Sequence, residues 1–193
     1  MHAIASLWLP VLVAAIAVFL ASSLVHMVLR WHHNDYQRIG NEDAVRAALR
    51  EGGSGPGQYM TPWCEGMKAA NQEPMLSKFR EGPIATITLM KTGKPDMGPM
   101  LARWFLLNLV LAAAIGAIVL QVYGPGADPR YAGHLAGLIT LLAYGAGSIQ
   151  QSIWMGKVWS TTAKDLLDAL IYGVVTALVF MWLWPAAAPA IAG

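Results

Sequence analysis

The chain has 193 residues, 56% of them hydrophobic and only 12% charged, about half the charge of an ordinary soluble domain. Its formal net charge of +2, with bases interspersed among acids, offers no basic face to nucleic acid. A single cysteine, Cys64, excludes an internal disulfide framework and a four-cysteine metal site.

Residues 4–29 open the chain as the first of four apolar stretches, the others being 98–122, 131–155 and 163–183. A helix that crosses a bilayer needs roughly 20 mostly apolar residues, because its backbone polar groups must be satisfied within the segment. The first stretch lacks the basic start of a secretory signal and runs on into Arg30, so it reads as a retained span. Pro10 is placed to kink it.

Residues 31–97 form a polar insertion, expected as a layer under the bundle because its apolar content is too low for a core of its own. Asn41, Glu42 and Asp43 open a short helix that Arg50 and Gly52–Gly53 close, in the order cap, acidic first turn, basic last turn and glycine stop. Ala44, Val45, Ala48 and Leu49 make one apolar stripe on it, a face suited to the membrane or the bundle. The glycine-rich run 52–57 then breaks regular structure; residues 58–60 and 84–90 are the β-like pieces and are expected to pair as a small ribbon.

Arg38, Arg46, Arg50, Lys68, Lys78, Arg80, Lys91 and Lys94 lie in this insertion and Lys157 and Lys164 flank the loop between the last two spans, whereas only Arg130 lies between the second and third. By the positive-inside rule the insertion and the last loop are cytoplasmic and both termini lie on the other side, with an uncharged tail over 186–193. Trp8, Trp31, Trp104, Trp154, Trp159, Trp182 and Trp184 fall near span ends, where amphipathic rings anchor in the headgroup region. Small residues recur four apart in every span: Ala17 and Ala21, Ala112 and Gly116, Gly133 and Gly137, Gly173 and Ala177. That spacing lets helix backbones approach in lipid. The spans carry no inverted repeat of the kind secondary transporters show, and Pro185 ends the last one.

Polar side chains at membrane depth are the strongest functional pointers in such a chain. Counting the helical rise from the cytoplasmic ends places His26, Arg103, Gln151 and Asp168 in one layer, about 5–8 Å inside. Arg103 and Asp168 are expected to pair, and the layer either fixes helix register or lines a cytoplasm-facing pocket for a small ligand or a proton. Asp165, three residues after Thr162, has the position of a capping acid at the start of the last span. His26 and His134 lie at opposite ends of their spans, roughly 25 Å apart along the rise, which excludes them as paired haem ligands. His26, His32 and His33 with Met60, Cys64 and Met67 match no zinc spacing, and nucleophile-elbow, phosphate-loop and dinucleotide-binding patterns are absent. No catalytic residue, metal or other cofactor is expected.

The run 153–159, then Asp168–Tyr172 and Trp182–Pro185, resembles the C-terminal half of small four-span bacterial inner-membrane proteins of unknown function, and 25–28, 32–36 and 56–60 resemble their first half. The resemblance implies a four-helix bundle in a bacterial cytoplasmic (inner) membrane and carries no activity. The expected fold is an all-α membrane protein, a four-transmembrane-helix bundle with a cytoplasmic loop layer. Its expected function is non-enzymatic: an accessory or scaffold component that associates through helix faces with itself or a membrane partner. The alternative is a small oligomeric transporter or channel-like protein that uses the polar layer.

Overall fold

The computed structural model describes residues 5–187; the expected start of the first span at Ile4 and the end of the tail, 188–193, lie outside the described residues. In chain order the elements are α1 (Trp8–Ser23), extended by a π-helical segment (Leu24–Leu29), α2 (Glu42–Glu51), β1 (Gly57–Thr61), α3 (Gly66–Ala70), α4 (Met75–Glu81), β2 (Ala85–Leu89), α5 (Met97–Tyr123), α6 (Pro129–Met155) and α7 (Trp159–Leu183). Among the described residues, four helices are long and apolar enough to cross a membrane: α1 with its π-helical end, α5, α6 and α7. The chain divides into two compact units, one formed by the chain up to Tyr36 and from Asp96 onward, the other by Gln37–Pro95. The inserted unit is thus shorter than the expected 31–97, because the residues just after Leu29 bond into the bundle.

Two of the bundle helices, α5 and α6, start at an aspartate cap. The Asp96 side chain accepts from the Gly98 N–H at the head of α5, and Asp128 accepts from the Arg130 N–H at the head of α6, where Pro129 takes the first-turn position that needs no donor. Pro10 falls in the first turn of α1, where its missing N–H breaks no bond and no kink is required. Helix α7 begins at Trp159, earlier than the expected 163. Gly156 turns the chain in a left-handed conformation, Val158 is extended, and nothing in Trp159–Thr162 opposes a helix.

The small residues do what their spacing implies. A Cβ added to Gly137 would lie 2.8 Å from the Gly173 carbonyl oxygen and 2.9 Å from the Ala177 Cβ, and one added to Gly133 would lie 2.6 Å from the Ala177 carbonyl oxygen. Helices α6 and α7 therefore meet backbone to backbone, in the largest contact of the bundle. Gly116 on α5 instead faces Leu7, Val11 and Phe180 at ordinary packing distance. The core combines Ala14, Ala15, Ile115, Val119, Ala132, Ala136 and Phe180, and the Trp184 indole donates to the Gly124 carbonyl at 3.2 Å. Leu20, Leu106, Val110, Leu138, Leu142 and Leu178 point outward and are exposed, as a lipid-facing surface requires.

The inserted unit follows its local chemistry. The Asn41 side chain caps α2 from Ala44, Glu42 and Asp43 occupy its first turn, Arg50 its last, and Gly52 ends it. Strands β1 and β2 pair antiparallel, with Tyr59 opposite Ile87 and Thr61 opposite Ala85. Cys64 is free and half-buried.

Candidate functional site

At the end of α1 the backbone leaves ordinary helix in a way that brings polar groups together. Ser22 and Ser23 both turn their hydroxyls back onto the Phe19 carbonyl at 2.9 Å, competing with the helix's own hydrogen bonding. The six residues that follow form wider π-helical turns, a rare feature that is frequent at functional sites. Arg30 then takes a left-handed conformation, φ 53°, which a non-glycine residue adopts only at an energetic cost. Two tight turns follow, His33 N–H to the Arg30 carbonyl and Asp35 N–H to the His32 carbonyl, and they fold the chain back beside α7.

The result is a charge chain centred on Asp168. His32 Nε2 lies 2.8 Å from Asp168 Oδ2, and the Trp31 indole donates to Asp168 Oδ1 at 3.1 Å. The other His32 nitrogen, Nδ1, is 2.6 Å from Asp35 Oδ2, and the Lys164 ammonium donates to Asp35 Oδ1 at 2.5 Å. His26 stacks on His32 with ring centroids 4.7 Å apart and planes 4° from parallel; its Nε2 is 3.8 Å from Asp168 Oδ2 and its Nδ1 is 3.0 Å from the Ser22 carbonyl. Burial opposes a charge on His32, but the hydrogen bonds and negative charges of Asp35 and Asp168 outweigh it and raise its pKa above 6.5. Burial likewise opposes ionisation of Asp35, yet the hydrogen bonds and charges of Lys164 and His32 prevail and lower its pKa below 3.8.

A second polar cluster joins the facing ends of α6 and α7. Asp165 accepts from Ser148 and from Lys157, and Thr162 pairs with Ser152 at 2.5 Å. The expected capping role of Asp165 is therefore corrected: α7 starts about one turn earlier than expected, and Asp165 instead holds the Lys157 ammonium.

Between the clusters opens a cavity of about 610 Å³. One part of its lining is polar, with His26, Gln151, Lys157, Asp165 and Asp168; the other is aromatic and apolar, with Trp104, Tyr144, Tyr172 and Met27. Trp104 donates to the Ser22 hydroxyl at 2.9 Å, and the Tyr144 hydroxyl donates to buried Asn108 at 2.6 Å, so the aromatic wall is fixed by hydrogen bonds to α1 and α5.

Three of the four residues expected in one polar layer, His26, Gln151 and Asp168, line this cavity together. Arg103 does not. It is exposed, and no ion pair among the described residues includes it, so the expected Arg103–Asp168 pair is replaced by Asp168 with His32, Trp31 and His26. Successive helical residues are about 100° apart, and on α5 it is the neighbouring Trp104 that faces the cavity. His134, exposed on the second turn of α6, is at the other end of that helix from Gln151 and does not join His26. His33 is exposed, and Met60, Cys64 and Met67 belong to the inserted unit; the histidines that do assemble are His26 and His32, with a carboxylate in place of sulfur ligands. Trp31, Asp35, Lys157 and Lys164 were not expected at a site. The spacing of His32 and Asp35 just past an apolar span that ends with His26 in its last turns was the available sign, since an acid one turn from a histidine is placed to bind its ring.

The chain matches no family model, no curated protein and no solved structure.

Proposed function

We propose that this chain is a membrane protein that admits a small amphiphilic ligand to the cavity at the polar end of its bundle, in the manner of a small channel-like or transporter-like protein. What supports the reading is the cavity itself. At about 610 Å³ it lies within the roughly 300–1,000 Å³ of small-molecule sites, and its charged and aromatic walls suit a polar head and an apolar body. An accessory or scaffold role calls for His26 and Asp168 packed dry, whereas His26 borders the cavity with 52% of its side chain accessible. The same proposal places the chain in a bacterial cytoplasmic membrane with both termini outside, so that the cavity opens toward the cytoplasm; the lysines and arginines of the insertion and the last loop support that orientation. Association with itself or a membrane partner through exposed apolar helix faces belongs to it as well.

Gly147 lies on the cavity wall with nothing within 4 Å of an added Cβ, so a cysteine fits there. In a Cys64→Ser/Gly147→Cys protein, a membrane-impermeant thiol reagent should label inside-out vesicles and spare right-side-out ones. Labelling only after denaturation would mean a closed layer and would return the scaffold reading to first place.

A further inference from the structure

We propose that His26, His32 and Asp168 bind one divalent transition-metal ion, zinc or a first-row neighbour, on the wall of this cavity. The inference goes beyond the ligand reading and stands whether or not an amphiphile enters. One ligand atom from each residue can be chosen so that all lie within 4.8 Å of one another. An ion bound tetrahedrally at roughly 2.0–2.1 Å needs ligand atoms about 3.3 Å apart. The 2.8 Å between His32 Nε2 and Asp168 Oδ2 and the 3.8 Å between His26 Nε2 and the same oxygen bracket that spacing. His26 supplies the remaining adjustment: it lies stacked parallel on His32, and its half-exposed ring has to turn out of that stack, about its contact with the Ser22 carbonyl, for one nitrogen of each ring to meet the same ion.

The stronger argument is that all three groups are held from behind. Metal-bound histidines almost always give their second ring nitrogen to a carbonyl or a carboxylate, which fixes the tautomer and aims the first. His26 Nδ1 rests on the Ser22 carbonyl, and His32 Nδ1 on Asp35, itself fixed by Lys164. Trp31 occupies Asp168 Oδ1, leaving Oδ2 to face both histidines. Each residue therefore has one atom engaged and its other atom turned toward the same corner of the site, His32 and Asp168 already in contact and His26 once its ring leaves the stack. The π-helical segment that carries His26 and the strained Arg30 just before Trp31 and His32 are the backbone devices that produce this convergence. Two imidazoles and one carboxylate suit zinc, iron, cobalt or nickel better than calcium or magnesium, which favour oxygen alone. His26 and Asp168 line the cavity, so positions on the ion not taken by protein face it. The proton shared between His32 and Asp168 leaves to solvent when the ion enters.

The test uses the full chain in detergent, without a polyhistidine tag, stripped with a chelator and titrated with Co(II). One Co(II) per chain, with visible ligand-field absorption that Zn(II) abolishes, is the expected result. His26→Ala should weaken binding at least tenfold, while Cys64→Ser and His33→Ala should leave it unchanged. His32→Ala unpairs Asp168 and puts the fold at risk, so His26→Ala, at a half-exposed position, carries the comparison, with circular dichroism as the check of folding. Absence of a saturable signal, a signal unaffected in a folded His26→Ala protein, or a signal lost in Cys64→Ser would each overturn the proposal.

Discussion

Lys164 ends a run of alternating charges, Asp168, His32, Asp35 and Lys164, in which each member touches the next. Two acids and two bases neutralise one another, which is how such groups persist at the edge of an apolar bundle. Removing one end exposes the logic. Lys164→Met leaves the Asp35 side chain, 7% exposed, with His32 alone, and should cost about 1–2 kcal/mol, less than a fully buried pair because Lys164 is itself 28% exposed. Adding Asp35→Asn should cost less than the sum of the two single changes. Thermal unfolding in detergent measures this, and strictly additive losses would mean that the two side chains do not meet. Arg103→Ala, at an unpaired exposed position, is the matched control and should stay within about 0.5 kcal/mol of the parent. Depth along a helix was enough to find His26, Gln151 and Asp168 in the sequence. It was not enough to reject Arg103, because depth ignores the angle around the helix, and the bond from Lys164 to Asp35 spans 129 residues that no periodicity links.

At the scale of elements, α6 and α7 are held by glycines at a distance that any side chain would enlarge. Gly137→Ala puts a methyl 2.8 Å from a backbone oxygen, which cannot rotate away as a side chain can. The helices must separate, at a cost of about 1–3 kcal/mol. Gly147→Ala, on the same helix with open space around it, should be neutral or stabilising by up to about 1 kcal/mol, since alanine favours helix over glycine. Equal melting temperatures for the two variants would show that the close approach of α6 and α7 is not needed for stability. This contact was legible from small residues four apart, as were α2, through Asn41 and Gly52, and the pairing of β1 with β2. The π-helical end of α1 was not. What encodes it is a pair of serines bonding backward and a turn that the Asp168 contacts hold in place, and neither leaves a mark in hydrophobic spacing.

For the whole molecule, the short connections Gly124–Asp128 and Gly156–Val158 make α5, α6 and α7 successively antiparallel. Both polar clusters gather where α1 and α6 end and where α5 and α7 begin, so one end of the bundle holds the cavity with Lys157, Lys164, Asp165 and Asp168. The proposed orientation, with this end toward the cytoplasm, rests on the cost of placing its charged groups in hydrocarbon and on the excess of lysine and arginine in the adjoining segments. Alkaline phosphatase, which folds only outside the cytoplasm, should therefore be active when fused after Gly193 and inactive when inserted in the glycine-rich run 52–57. A fluorescent protein should report the reverse. If instead the enzyme is active at 52–57 and silent after Gly193, the orientation inverts, and the Gly147→Cys protein must then label from outside. Agreement between the fusions and the labelling fixes which compartment supplies the ligand; disagreement would mean that the reagent reaches Gly147 by a route other than the polar end of the bundle.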